Sequence, residues 1–159
     1  MKTLILVRHA KSDWPQDVPD FDRPLNERGH RDAPRMAKYI MAQGVNIQSF
    51  ISSPAKRALT TCRYFAETYG NSSIKKEENL YEPHPEDFVK TVQNVSDEYD
   101  SVALFSHNGG ISDFATSLSG EPIVFPTCGV VVFEMYCEQW SQFEGADKKL
   151  VQFFKPKEI

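Results

Sequence analysis

Short apolar runs with the character of β-strands alternate with amphipathic segments along most of this 159-residue chain. Lys2–Val7, Ser49–Ser52 and Ser101–Phe105 are such runs, and the first is continuously apolar from Leu4 onward, as expected of a buried parallel strand. The alternation predicts an α/β fold, a three-layer α/β/α sandwich in which helices cover both faces of a mostly parallel central sheet. The length fits one domain, and the span 1–159 is expected to be a single domain.

The first amphipathic segment has apolar residues at i, i+3, i+4, i+7 and i+8 from Ala33, which is one face of a helix. Asn26 is suited to cap the start of this helix and Gly44 its end. Pro34 lies inside the span. Either the helix is kinked there, or its regular part starts near Asp32 with Pro34 in the first turn.

The second helix is expected to open with Ser53 as N-cap and Pro54 at its first position, and to end at Gly70. The last strands are not separated by a helix, so at least one of them is expected to run antiparallel. The remaining predicted elements are a strand at Ile74–Leu80, helices at Glu86–Val95 and Ile111–Leu118, and strands at Val130–Met135 and Leu150–Phe154.

Composition and charge argue against several classes of function. The net charge is −4 and no Lys/Arg run occurs, whereas a nucleic-acid-binding surface needs a basic stripe. No stretch approaches the roughly 20 apolar residues of a membrane span, and the apolar run before Arg8 is shorter than the core of a secretory signal, so a cytoplasmic protein is expected. Cys62, Cys128 and Cys137 are odd in number and contain no CxxC, which favours buried free thiols over a disulfide or zinc framework.

Two predicted strands each lead directly into a histidine. Leu4–Val7 is followed by Arg8-His9, and Ala103–Phe105 is followed by Ser106-His107. In an open α/β sheet, ligands bind at the carboxyl ends of the strands. A histidine can act there as nucleophile or proton carrier, and arginine offers a fixed, permanently charged fork for phosphate oxygens. Phosphoryl transfer is therefore the leading hypothesis from the residues alone.

Three motifs follow one another along the chain: Arg8-His9-Ala10, Ser52-Ser53-Pro54-x-x-Arg57-Ala58 and Ser106-His107-Asn108. In type, order and spacing they resemble the motifs of the histidine phosphatase superfamily. That group includes phosphoglycerate mutases, acid phosphatases and the SixA-type phosphohistidine phosphatases. The run from Arg8 to Trp14 and the run Asp22-Arg23-Pro24-Leu25-Asn26-x-Arg28-Gly29 are most similar to the SixA-type branch. The resemblance implies a phosphoglycerate mutase-like fold.

The resemblance also implies a role for each motif residue. His9 would be the nucleophile that takes up the phosphoryl group, and His107 would stabilise the charge on that group. Arg8 and Arg57 would bind the phosphoryl oxygens, and Asn108 would contact the substrate. No cofactor is expected. A metal site at the two histidines is not expected either, because adjacent guanidinium groups would repel a cation.

The general acid is the least determined position. Phosphomonoesterases of this superfamily usually protonate the leaving alkoxide with a carboxylic acid, and Glu82 lies roughly where some branches carry it. Asp13 is a second candidate, and Glu82 could equally be an exposed surface residue. Since imidazole is a far better leaving group than an alkoxide, the absence of an acid would favour a phosphohistidine substrate. Lys11, Ser12 and Arg23 could contact the substrate beyond its phosphate, or they could be solvated loop residues.

These observations predict a cofactor-independent phosphatase that works through a phospho-His9 intermediate, with phosphohistidine on a protein as the preferred substrate. With roughly 45 residues between the second and fourth strands, there is little room for a lid that encloses a small metabolite. Two alternatives stay open. The first is a small-molecule phosphomonoesterase or phosphomutase that needs Glu82, and the second is a non-catalytic phosphate-binding domain that needs no nucleophile. The expected partner is a phosphohistidine-bearing protein or a small phosphate ester, with no nucleic acid and no membrane.

Overall fold

Six strands and four helices follow one another in the computed structural model, which describes residues 1–159. The strands are β1 (Lys2–Arg8), β2 (Ser49–Ser52), β3 (Ile74–Lys76), β4 (Ser101–Ser106), β5 (Val130–Met135) and β6 (Lys148–Phe154). The helices are α1 (Glu27–Ala42), α2 (Lys56–Thr68), α3 (Pro85–Gln93) and α4 (Gly110–Ser119). Short 3-10 segments lie at Asp20–Asp22, Glu78–Leu80, Trp140–Gly145 and Pro156–Glu158.

All six strands join one sheet in the order β3-β2-β4-β1-β5-β6. The first four strands along the chain are parallel, and the adjacent pair β1 and β4 runs in register from Thr3 opposite Ser101 to Arg8 opposite Ser106. β5 runs antiparallel to β1, and β6 runs antiparallel to β5. The predicted α/β fold with a mostly parallel sheet is confirmed, and so is the antiparallel direction of a late strand.

Each face of the sheet carries a cluster of 20 buried residues. Side chains alternate along a strand, so Leu4 and Leu6 of β1 point to one face while Ile5 and Val7 point to the other. The first pair packs with apolar side chains of α3 and α4, and the second pair packs with those of α1 and α2. Helices therefore cover both faces, which confirms the three-layer arrangement. Because β1 and β4 are adjacent and parallel, the loops that follow them lie at the same edge of the sheet.

Helix α1 has the predicted caps. The Asn26 side chain accepts a hydrogen bond from the Gly29 N–H at 2.9 Å, and Gly44 follows the helix with a φ of 86°, which favours glycine. Because α1 already begins at Glu27, Pro34 lies inside the helix, and the alternative start near Asp32 is wrong. Proline has no N–H to donate, so one helical hydrogen bond is missing at this point.

Two other predicted boundaries are wrong. Helix α2 begins at Lys56 with Ala55 in the N-cap position, and not at Ser53-Pro54, because the backbone at Ala55 is still extended, with a ψ of 139°. The predicted strand Ile74–Leu80 ends at Lys76, because its only partner is the four-residue strand β2, which offers it three residue pairs.

The three cysteines are buried and free, as the sequence predicts. None of the four helices combines the length and the apolar character that crossing a membrane requires.

Candidate active site

The carboxyl ends of β1 and β4 place two histidines side by side. Arg8 lies opposite Ser106 in the parallel ladder, and the His9 N–H donates to the Ser106 carbonyl at 3.1 Å. His107 follows directly after the end of β4, and its ring centroid lies 5.2 Å from that of His9. The two rings therefore face one site, as the strand-end argument predicts.

His9 is held in one orientation. Its Nδ1 lies 2.7 Å from the Ala10 carbonyl oxygen, and since a carbonyl only accepts, Nδ1 carries the proton and Nε2 keeps a free lone pair. The Ala10 N–H in turn donates to Thr61 Oγ1 of α2 at 3.0 Å, which fixes the backbone that carries this carbonyl. Burial, together with the positive charges of Arg57 and Arg8, lowers the pKa of His9 to about 4 even though the hydrogen bond to the Ala10 carbonyl acts to raise it, so the ring is neutral near pH 7.

His107 is also buried and neutral. Burial, with smaller contributions from His9 and Arg57, lowers its pKa to about 3. Its Nε2 lies 2.8 Å from the Ser53 hydroxyl oxygen, which itself accepts the Ala55 N–H at 3.2 Å and has its proton free to donate. This arrangement favours the tautomer with the proton on Nδ1, and that atom is buried with no partner within the protein.

Arg8 and Arg57 add further hydrogen-bond donors beside the two histidines. The Arg8 guanidinium donates through Nη1 to the Phe125 carbonyl at 2.8 Å, and Arg57 donates through Nη1 and Nη2 to Asp20 at 2.7 and 3.1 Å. Only three buried side-chain nitrogen or oxygen atoms lack a protein partner: Arg8 Nε, Arg57 Nε and His107 Nδ1. An unpaired buried donor is costly, and all three of these belong to residues of one cleft. An anion with several oxygens is the acceptor that fits them together.

The cleft has a volume of about 170 Å³ and is strongly basic. Four of its lining residues carry a permanent positive charge and none is acidic, although the chain as a whole has a net charge of −4. Trp14 is its single apolar lining residue. The lining residues are Arg8, His9, Lys11, Ser12, Trp14, Arg23, Arg57, His107, Asn108 and Thr127. No group of three or more His, Cys, Asp or Glu side chains is arranged to hold a metal ion. The electrostatics of the cleft therefore suit an oxyanion.

A carboxylate beside the cleft is held in its ionised form. Asp20 accepts hydrogen bonds from Tyr81 at 2.7 Å and from Arg23 and Arg57 at 3.1 Å each. Partial burial acts to raise the pKa of Asp20, but these three hydrogen bonds outweigh it and bring the pKa to about 2. Asp20 cannot donate a proton at neutral pH, and its contacts tie the loop before α1 to Arg57.

The structure places the other sequence candidates as follows. Asn108 lines the cleft and accepts a hydrogen bond from the Ser112 hydroxyl. Glu82 is exposed, has a backbone φ of 52°, and does not line the cleft. Asp13 is exposed as well, and its side chain accepts the N–H of Trp14. Thus His9, His107, Arg8, Arg57 and Asn108 are brought together, and the two acid candidates are not.

Three of the uncertain loop residues, Lys11, Ser12 and Arg23, line the cleft. Sequence reasoning missed Ser53 as the partner of His107, because a serine before a proline is also what a helix start looks like. It missed Asp20 and Tyr81 because nothing in a Pro- and Asp-rich loop singles out one aspartate. These partners are separated by 37 to 61 positions along the chain, and no short-range pattern reports such contacts.

Residues 4–101, more than half of the chain, match the histidine phosphatase superfamily (branch 1). Among curated proteins, an uncharacterised protein of Mycobacterium leprae (strain TN) is 28% identical over 165 residues, and the match covers 95% of this chain and 100% of that protein.

Two solved structures share the whole fold. A crystal structure described as a candidate phosphohistidine phosphatase SixA from Agrobacterium tumefaciens has a TM-score of 0.82 and 26% identity, and the match covers 98% of both chains. A protein histidine phosphatase SixA complexed with tungstate has a TM-score of 0.84, with 98% of both chains covered. Because its sequence identity to this chain is only 20%, this match shows similarity of fold and nothing more. The predicted phosphoglycerate mutase-like fold and its SixA-like character are confirmed.

Proposed function

Because this chain belongs to the histidine phosphatase superfamily, we propose that it hydrolyses phosphohistidine on a protein, passing the phosphoryl group first to His9 and then to water. Membership of the superfamily supports a phosphatase with a histidine-based mechanism. The observation that carries the finer assignment is the absence of a protonated carboxylic acid from the cleft.

In the first step, Nε2 of His9 attacks the phosphorus atom. The low pKa of His9 keeps this lone pair free at neutral pH, and the Ala10 carbonyl holds the ring in place. Arg8 and Arg57 bind the phosphoryl oxygens, so catalysis consists mainly of positioning and preorganised charge. The bond between phosphorus and the substrate's imidazole nitrogen breaks, and the imidazole leaves with the bonding electron pair.

In the second step, water attacks the phosphorus of phospho-His9. The phosphorus–nitrogen bond breaks, His9 recovers its lone pair, and the protons of the water remain with the phosphate and the surrounding solvent. Both steps expel an imidazole. The same cleft therefore serves both, and neither step needs an alkoxide to be protonated.

The leaving group decides between substrate classes. An alkoxide leaving group needs a general acid, whereas the distal nitrogen of a phosphohistidine ring can take up a proton from solvent before the bond breaks. Asp20 has a pKa of about 2 and stays ionised, and Glu82 lies outside the cleft on the surface. The charges at this site thus favour a phosphorus–nitrogen bond over a phosphate ester.

The size of the cleft also supports a phosphohistidine on a protein as the substrate. A pocket that encloses a small organic ligand usually measures about 300–1,000 Å³, whereas this cleft measures about 170 Å³. It can hold a phosphoryl group and few further atoms, so most of a larger substrate must lie outside. A histidine side chain presented from a protein surface meets that requirement.

The test compares a phosphohistidine-bearing protein with a panel of small phosphate monoesters, in the presence of EDTA. We expect faster turnover of the phosphoprotein, and we expect His9→Ala to lower it on the order of 10³-fold or more, because the nucleophile is lost. His30→Ala is the matched control, since His30 is exposed on α1 and outside the cleft. Phosphate trapped on the enzyme should be acid-labile and absent from His9→Ala.

Glu82→Gln separates the remaining possibilities. With phosphohistidine as substrate, this variant should retain its activity. Preference for one ester, together with a large loss in Glu82→Gln, would instead indicate a small-molecule phosphomonoesterase or phosphomutase. Binding of phosphate without any turnover would indicate a non-catalytic phosphate-binding domain.

A further inference from the structure

Trp14 lies at the mouth of the cleft. It is the single apolar residue of the lining, and 74% of its surface is exposed, which is more than for any other large hydrophobic residue of the chain. Exposing so much of a tryptophan to water is unfavourable, since indole is among the largest apolar side chains. Such an exposed tryptophan beside the cleft is typical of a surface that binds a ligand.

A buried cation holds one face of this tryptophan. The guanidinium carbon of Arg23 lies 3.2 Å from the centre of the indole ring. Arg23 is itself immobilised, donating to the Asp13 carbonyl at 3.0 Å, to the Asp20 carboxylate at 3.1 Å and to the Ser12 hydroxyl. A guanidinium stacked on an aromatic face is an attractive arrangement, and here it fixes the plane of the indole.

The backbone around Trp14 is fixed as well. Ser12 forms an isolated antiparallel bridge with Leu25, and the Asp13 N–H donates to the Pro24 carbonyl at 2.8 Å. The Trp14 N–H donates to the Asp13 side chain at 2.9 Å. One face of the ring is covered by Arg23 and most of the residue is exposed, so the opposite face is open to solvent.

We propose that the open face of Trp14, backed by Arg23, is the subsite that binds the imidazole ring of the phosphohistidine while its phosphoryl group occupies the cleft. The inference rests on the proposed function. Because the basic groups of the cleft bind the phosphoryl oxygens, the leaving group must lie toward the exposed side, where Trp14 is the single apolar surface. A planar ring gains from stacking on an aromatic face, while a ring-free leaving group gains nothing there.

Three substrates with a phosphorus–nitrogen bond separate the ring from the rest of the molecule. Phosphoramidate has no ring, N-phosphoimidazole has the ring alone, and a phosphohistidine-bearing protein has the ring and a polypeptide. The variants are Trp14→Ala, Trp14→Phe and the control Tyr136→Ala. Tyr136 is also exposed, at 57%, but follows the end of β5 that pairs with the start of β1, away from the cleft.

Trp14→Ala should lower kcat/KM for N-phosphoimidazole and for the phosphoprotein by roughly 3- to 10-fold, the range expected for loss of one aromatic contact. Its activity on phosphoramidate should stay unchanged. Trp14→Phe should restore both ring substrates, because it returns an aromatic face, and Tyr136→Ala should behave as wild type on all three.

The other outcomes overturn the subsite. An equal loss on all three substrates would mean that Trp14 only supports Arg23 and the cleft. A loss confined to the phosphoprotein would mean that Trp14 meets the polypeptide and not the ring, and no loss on any substrate would leave it without a role. Failure of the proposed function shows differently: the wild-type protein itself would hydrolyse none of the three, or His9→Ala would retain the activity.

Discussion

Binding of an oxyanion should make His107 take up a proton. In the free protein the pKa of His107 is about 3, chiefly because the ring is buried, so it is neutral at pH 7. Its Nδ1 is one of the three unpaired donors of the cleft. Tungstate is a suitable probe, because it is a dianion at pH 7 and brings no titration of its own.

The magnitude follows from Coulomb's law. Protonating a group whose pKa is about 3 costs about 5 kcal/mol at pH 7. A dianion centred about 4 Å away, at an effective dielectric constant of about 20, contributes about 8 kcal/mol of attraction to the imidazolium. The attraction exceeds the cost, so the complex should hold close to one additional proton on His107.

Isothermal titration calorimetry in two buffers of different ionisation enthalpy measures this proton. The apparent binding enthalpy of tungstate should differ between the buffers in the wild-type protein, and the number of protons taken up should fall by about one in His107→Asn, whose amide cannot ionise. Equal uptake by wild type and His107→Asn would refute the assignment of His107 as the charge-stabilising imidazolium.

Two further predictions concern stability. The pKa of His9 is about 4 in the folded protein against an ordinary 6.5, so the unfolded chain binds more protons between these values, and the free energy of unfolding should fall by about 3 kcal/mol as the pH drops from 6.5 to about 4. Urea unfolding at pH 7, 6 and 5 measures this slope, which should be shallower in His9→Asn; equal slopes would contradict the lowered pKa. Gly29→Ala should lower the free energy of unfolding by about 1–3 kcal/mol, because the added methyl group would overlap the Lys11 carbonyl. Gly145→Ala, with nothing within 4 Å of the added carbon, is the control, and equal denaturation midpoints for the two variants would show that the Lys11 loop yields without cost.

Much of the fold could be predicted because hydrophobic periodicity is a local property. The apolar run of β1 and the i, i+3, i+4 pattern of α1 each lie within about a dozen residues, and each matches the structure to within a few positions. The short edge strand β3 was overestimated, because the length of a strand depends on its partner and not only on its own residues.

The candidate site could likewise be predicted only in part. Strand ends that lead into His9 and His107 are visible in the sequence, and parallel pairing of buried strands is enough to bring such ends to one edge. The environment of each ring is not visible there. Ser53 carries the signature of a helix cap, yet it faces His107 across 54 positions.

The sequence by itself determined which residues can carry out the chemistry and which helices and strands form the three layers. Residue type and hydrophobic periodicity can both be read directly from the sequence. Only the tertiary structure decided their state. It buried His9 and His107 so that both are neutral, paired Asp20 with two guanidinium groups so that it cannot serve as an acid, and left Glu82 in solvent. The physical reason is that protonation and access depend on desolvation and on charges brought close in space, and neither is a property of neighbours in sequence.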